Sequence, residues 1–353
     1  MRVERVVPGR PLPGRLHGAV LEGSVLARDL VVGGERWPKG RRLTAADLGA
    51  LAADPEGPSI TLLVPEPGDV HEDDAGLRLA AAVSGGDRGL AVRGPVQSRV
   101  DLVATLAGVV VVRTAALDRL NRVDSLEVFT VADGRIVGPG DLVASAKVAP
   151  HLVAGSLLAA GERIAGSGGP IVRVRPFRPA RLAVLVKERI GSDARVRFEE
   201  AIRTRAAGLG ATVTRIHYVA DDAAAVTTAL RDAVRGPGRA SIVLTAGGAS
   251  TDPADSFFAA VDALGGVVVR HGAPAHPGSM LWLARVGRTA VLGLPSCGAY
   301  SKATAADLLL PLLVAGFPPT AATVARLAHG GILDRTQRYR FPAYAHDLDA
   351  PDG

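Results

Sequence analysis

From Arg181 onward the chain alternates short aliphatic runs with helix-length amphipathic stretches, and no other feature restricts the fold as much. RLAVLV (181–186), ATVTRIHYV (211–219), SIVLTAGG (241–248), VVVRHG (267–272) and TAVLGLP (289–295) have the length and residue types of strands. RVRFEEAIRTRAAGLG (195–210), DDAAAVTTALRDAVR (221–235) and DSFFAAVDALGG (255–266) read as helices between them, and AYSKATAADLLLPLLVAG (299–316) as a closing helix. Strands separated by helices need crossover connections, which produce a mainly parallel sheet covered on both faces. The expected fold class is therefore α/β, with a C-terminal three-layer αβα domain over 176–325 and a tail over 326–353.

The region before it, 1–175, reads as a smaller α+β unit. Residues 16–32 alternate loosely, as strands do. Thr44 followed by Asp47 resembles a capping box and predicts a helix over 45–52, then a strand at 59–64. The acids of PEPGDVHEDDAGLRLAAAV open a further helix. Downstream, strands are expected at 109–112, 126–131 and 140–148, with helices at 114–121 and 152–165. The boundary falls near RVRPFRPAR (173–181), where two prolines and four arginines interrupt the pattern.

No apolar run is long enough for a membrane span, and the first residues lack the apolar core of a secretory signal. A single cysteine, Cys297, excludes an internal disulfide and fits a reducing compartment, so a cytoplasmic protein is expected. The net charge of +6 comes almost wholly from scattered arginines, since lysine occurs only at Lys39, Lys147, Lys187 and Lys302. Scattered arginines without aromatic partners give no stripe for nucleic acid, but suit an acidic small ligand.

In parallel sheets ligands bind beyond the carboxyl ends of the strands, which places 187–193, 245–255 and 293–302 on one rim. AGGASTDPAD joins a strand to a helix through small residues, so Gly247, Gly248, Ala249, Ser250 and Thr251 are candidate phosphate contacts. Asp252 and Asp255 are candidate catalytic and Mg²⁺-binding acids, because a hard cation takes carboxylate oxygens and bridges to phosphate; the competing reading is an ordinary helix cap. HGAPAHPGSM offers His276, Pro277 and Gly278 for hydrogen bonds to a ligand, without the further ligands a zinc site needs. GLPSCGAYSK places Gly293, Pro295, Ser296, Cys297 and Gly298 in a second turn before a helix start, with Lys302 in reach of a phosphate and Lys187 on the same rim. No GxGxxG, Walker A or GxSxG pattern occurs, which weighs against nicotinamide, nucleoside triphosphate and α/β-hydrolase chemistry.

VLTAGGASTDPADSFFAAVDALGG, HGAPAHPGSM and TAVLGLPSCGAYS, in that order, resemble the molybdopterin-binding domain of molybdenum-cofactor biosynthesis enzymes. In the related molybdopterin molybdenumtransferases the corresponding pieces look like a GG-x-S-x-G-x-x-D turn, a K-P-G-K-P loop and a G-L-P-G-N-P turn. Asp255, Pro277-Gly278 and Gly293-Leu294-Pro295 match these. The chain is more similar still to the molybdopterin-binding region of molybdenum-cofactor cytidylyltransferases, over roughly residues 15–320. The resemblance implies molybdopterin, free or nucleotide-linked, as ligand, with Mg²⁺ and molybdate if the chain inserts the metal. It also implies a homodimer, and a molybdenum enzyme or other cofactor-biosynthesis proteins as partners. Two departures stand out. KERIGSD (187–193) replaces the transferases' acidic T-G-D-E loop, and His276 and Ser279 replace the loop lysines. A non-catalytic carrier and a nucleotide pyrophosphate hydrolase on the same fold are the alternatives to a transferase.

Overall fold

A computed structural model describes residues 1–7, 21–53, 57–188, 190–248, 251–295 and 303–347. The chain divides into two compact units. The first takes residues 1–105, 111–133 and 139–174, and the second takes 106–110, 134–138 and 175–353.

In the first unit, Arg2–Val6 and Val25–Leu26 pair antiparallel with either side of Ile60–Val64. The inward positions of that sheet, Leu26, Ile60, Leu62 and Val64, close on Trp37, Leu43 and Leu51. Leu51 belongs to the Ala45–Ala52 helix, which starts in the capping box that the sequence predicts. Thr44 Oγ1 accepts from the Asp47 amide, and Asp47 Oδ2 accepts from the Thr44 amide. A four-stranded antiparallel sheet follows, ordered Leu126–Thr130, Leu142–Val148, Arg99–Ala104, Leu90–Val96. Its Leu90–Val96 and Arg99–Ala104 strands are absent from the sequence reading, because neither run shows a clean two-residue alternation. The Glu72–Ser84 helix buries Ala75, Leu79, Ala80 and Val83.

The second unit is built on a six-stranded sheet of β1 (Arg181–Val186), β2 (Thr212–Tyr218), β3 (Ile242–Ala246), β4 (Val267–His271), β5 (Trp282–Val286) and β6 (Thr289–Gly293). The spatial order is β2-β1-β3-β6-β5-β4. The pairings of β1 with β2, β1 with β3, and β3 with β6 are parallel, whereas β5 runs antiparallel to both β6 and β4. The sheet is thus mainly parallel with one inserted antiparallel strand. The sequence reading lacks β5, because LWLARVGRTAVLG looks like one continuous apolar segment. The two-residue Gly287-Arg288 turn folds it into a hairpin.

Alternation along β1 decides which helix covers which face. Leu182, Val184 and Val186 face the layer of α1 (Ser192–Gly208) and α4 (Ala305–Val314), through Phe198, Ile202 and Leu309. Ala183 and Leu185 face α2 (Ala223–Arg235) and α3 (Ser256–Ala263), through Val226, Leu230, Phe257 and Val261. Asp222 caps α2 by accepting from the Ala224 and Ala225 amides. The buried set Val226, Ala229, Leu230, Ala233 and Val234 is the stripe expected of a helix lying on a sheet. This is a three-layer αβα arrangement.

Residues 326–345, expected as part of a tail, pack instead as part of the second unit. Tyr344 is buried and its ring lies against Gly208 at the end of α1. The closing helix begins at Ala305, capped by Thr304, while the portion expected over 299–302 lies outside the described residues.

Candidate functional site

The parallel registers bring the strand ends of the second unit level. Val186 stands opposite both Tyr218 and Ala246, and Thr245 stands opposite Gly293. Trp282, the first residue of antiparallel β5, also pairs with Gly293, and His271 pairs with Trp282. Residues 187–188, 219–222, 247–248, 251–255, 272–281 and 294–295 therefore lie off the sheet at one edge. The described parts of the three segments that the sequence assigns to a rim lie along it, after neighbouring strands.

The centre of the rim is an ion cluster. Lys187 follows β1 directly, and its side chain is 4% exposed. Its Nζ donates to Asp221 Oδ1 at 3.0 Å and to Ser256 Oγ at 3.1 Å, and lies 2.9 Å from Asp255 Oδ2. An ammonium has three protons, and all three face acceptors. Lys187 therefore ties together the segments after β1, β2 and β3. It has no donor left for the phosphate contact that the sequence reading assigns to it. Ser256 Oγ also donates to Asp221 Oδ1 at 2.7 Å. The Ser256 hydroxyl and then the Lys187 ammonium hold the Asp221 carboxyl below the usual carboxylate range, against a smaller opposing effect of burial.

Asp255 is buried and caps α3, accepting from the Phe257 amide at 2.9 Å. The cation beside its carboxylate is Lys187, so the place expected for Mg²⁺ beside Asp255 holds a side-chain ammonium. Asp252 is exposed and folds back on its own turn, Oδ1 accepting from the Ala254 amide at 2.9 Å. Among the described residues no group of three or more His, Cys, Asp or Glu side chains is placed to hold a metal.

Gly247 has φ +90°, and a Cβ there would stand 2.7 Å from the Glu188 amide nitrogen. Only glycine lets the turn after β3 approach the segment after β1 this closely. Gly248 lies against the Phe257 ring, and Thr251 is exposed at the turn. Ala249, Ser250, Ser296, Cys297, Gly298 and Lys302 lie outside the described residues.

His276 is exposed at the edge, and its backbone is fixed through the Gly331 carbonyl at 2.8 Å and the Leu333 amide at 2.7 Å. Pro277 and Gly278 abut α4. The Pro277 carbonyl accepts from Ala305 N at 2.9 Å, and a Cβ on Gly278 would stand 2.7 Å from that same nitrogen. The first turn of α4 is consequently satisfied from within the protein. Ala306 N donates to Thr304 Oγ1, Asp307 N to the Thr304 carbonyl, and Thr304 N to Asp307 Oδ2. The helix start at Ala305 is therefore closed by its own capping box, while the turn amides expected to complete an anion cradle in this segment, Ser296 to Gly298, lie outside the described residues. Gly293 proves to be a packing glycine, since a Cβ there would land inside the buried Trp282 indole. Pro295 is buried two residues beyond the end of the same strand.

Among the described residues of this edge, the helix start without a side-chain cap is that of α1. Its N-cap is Gly191, with no side-chain cap, and Gly191, Ser192 and Asp193 are exposed. This start follows β1 by five residues, on the same edge as the ion cluster. An uncapped start of a 17-residue helix offers free amides and the positive end of the helix dipole to an anion. The sequence reading places 187–193 on the rim but assigns this start no role. Its signal was an absence: GSD lacks a residue at the capping position whose side chain reaches the first amides. Asp221 and Ser256 were also missed, each looking like an ordinary first-turn residue.

Residues 192–315 match the family model described as a probable molybdopterin binding domain. The match starts at the first residue of α1 and ends just after α4, so it spans most of the αβα unit. Among solved structures, the molybdopterin biosynthesis enzyme MoaB from Thermus thermophilus is 22% identical, covering 40% of this chain and 99% of its own, at a TM-score of 0.29. The molybdopterin biosynthesis MoeA protein from Pyrococcus horikoshii is 14% identical, covering 73% of this chain and 80% of its own, also at 0.29. A molybdenum cofactor biosynthesis protein B is 16% identical over 43% of this chain and 98% of its own, at 0.27. No curated protein matches the chain.

Proposed function

We propose, from the match of residues 192–315 to the model of a probable molybdopterin binding domain, that this chain binds molybdopterin in the course of molybdenum-cofactor biosynthesis or delivery. The observation that carries the reading is the convergence of the segments after β1, β3 and β6 on one sheet edge beside an uncapped helix start. A pterin ring presents donors and acceptors together, and its phosphate needs amides. The exposed Asp221 and Thr251 answer the ring, and the amides of Ser192 and Asp193 answer the phosphate. Gly247 keeps the two neighbouring segments close, and the Lys187 cluster holds them in register. His276 lies further along the same edge.

The ion pair between Lys187 and Asp255 favours binding and delivery over Mg²⁺-dependent molybdate insertion. A metal that neutralises phosphate charge needs available carboxylates, and Asp255 already faces an ammonium. Of the two acids, Asp252 is the one whose carboxylate is open to solvent. On this reading the protein is a homodimer that passes cofactor to a molybdenum enzyme or to other biosynthetic proteins.

The test is anaerobic equilibrium binding of isolated molybdopterin. Thr251 is exposed, so Thr251→Glu puts a negative charge on the rim without disturbing the core. Saturable binding by the natural chain, weakened tenfold or more in Thr251→Glu, supports the site. Equal binding by both proteins removes the site, and no binding removes the function. Adding molybdate and Mg²⁺ to the complex with nucleotide-linked molybdopterin then separates the two modes. Retention of the nucleotide is expected, whereas Mg²⁺-dependent nucleotide release would establish insertion instead.

A further inference from the structure

At the opposite edge of the same sheet, where β1, β3 and β6 begin and β5 ends, the second unit has a half-open cleft of about 870 Å³. Among the described residues five arginines contribute to its wall, Arg178, Arg235, Arg239, Arg285 and Arg288, and no aspartate or glutamate lines it. All five are exposed, and none forms an ion pair among the described residues. Phe317 lies on the apolar side of the cleft with Pro318 and Pro319, half-buried, with the Arg175 and Arg326 guanidinium groups 4.4 Å and 5.4 Å from its ring centroid.

Part of this charge has a local explanation. Arg235 closes α2, where cations complement the helix dipole, and its Nη2 donates to the Leu264 carbonyl at 3.0 Å. Arg285 Nη1 donates to the Gly287 carbonyl at 2.9 Å, and Arg178 packs flat on Gly316. These contacts use a minority of the guanidinium donors and fix the groups in place. Arg239 and Arg288 have no such explanation. Each sits in a turn outside any helix, and no side-chain bond ties either down among the described residues. Five like charges around one concavity repel each other unless an anion joins them, and a concave wall of one sign concentrates anions. The volume is that of a small-molecule site.

We infer that this cleft is a second ligand site, distinct from the molybdopterin rim, and that it takes a compact diphosphate-bearing anion. Arginine forks match phosphate oxygens in pairs, and two linked phosphates reach several forks at once. The wall of Phe317, Pro318 and Pro319 offers an apolar surface for an uncharged body attached to the diphosphate.

Isothermal titration of the full chain with inorganic pyrophosphate at low salt tests the site. Saturable binding is expected, weakened at least tenfold in the double variant Arg239→Glu/Arg288→Glu and reduced by added salt. Both residues are exposed, and a thermal melt checks that the variant is folded. Thr251→Glu, on the other edge, is expected to bind pyrophosphate as the natural chain does, so this site and the molybdopterin reading fail separately. A nucleoside diphosphate is the second arm: tighter binding than pyrophosphate identifies a ligand with an organic body on Phe317, and equal binding identifies free diphosphate. No saturable heat in the natural chain, equal binding by the double variant, or loss in Thr251→Glu would overturn the inference.

Discussion

Replacing Lys187 by Met keeps the volume of the side chain and removes its charge, which isolates the ion cluster from packing. The Lys187 and Asp255 side chains are 4% and 5% exposed and their charged atoms are 2.9 Å apart. At an effective dielectric of about 20 their attraction is about 6 kcal/mol. Desolvation of both groups consumes part of that. Removing one member of a buried pair typically costs about 3–5 kcal/mol, because the remaining charge keeps its desolvation penalty. The contact to Asp221, whose side chain is 62% exposed, adds less than about 1 kcal/mol. The expected loss is therefore about 4 kcal/mol, a large part of the roughly 5–15 kcal/mol that holds a domain folded. Trp282 is buried in the second unit, and Trp37 lies in the first. Urea unfolding in a Trp37→Phe background, followed by tryptophan fluorescence, thus reads the second unit alone. The double variant Lys187→Met/Asp255→Asn should recover more than half the loss, since no ionised carboxylate is then left facing a thioether. A loss below about 1 kcal/mol, or a double variant as unstable as the single one, would refute the claim that the ammonium holds the rim together.

Gly293→Ala is expected to lower stability by about 1–3 kcal/mol or more, because the new methyl overlaps the Trp282 indole; a thermal melt unchanged from the natural chain would contradict that packing. Arg205→Met should cost about 3–5 kcal/mol by chemical denaturation, since Arg205 Nε donates to Asp307 Oδ1 at 2.8 Å and both side chains are almost fully buried. Asp221 has a folded pKa held below its unfolded value, so its contribution is complete above about pH 4 and disappears as pH falls through the lower folded value. Asp221→Asn should accordingly reduce the acid-side slope of the stability curve, by a small amount given its exposure, and identical slopes would show that the bonds to Ser256 and Lys187 do not act on it.

The αβα architecture was legible in the chain because the length and hydrophobic period of most stretches after Arg181 separate strands from helices. Parallel pairing follows once helices separate the strands. The same logic put residues 187–193, 245–255 and 293–302 on one edge without any coordinates, since parallel strands all end on the same side. What each rim residue does could not be read this way. Lys187 looked like a phosphate ligand until the register set it among Asp221, Asp255 and Ser256, which lie 34, 68 and 69 positions away. Gly293 looked like a binding glycine until β5, hidden inside an apolar run, laid Trp282 over it. The arginine cleft is spread over positions 178 to 288 and has no sequence signature at all. Local composition decides local conformation, because those forces act over a few residues. Which charges meet, and which are left to face a ligand, depends on contacts across the sheet that only the folded chain creates.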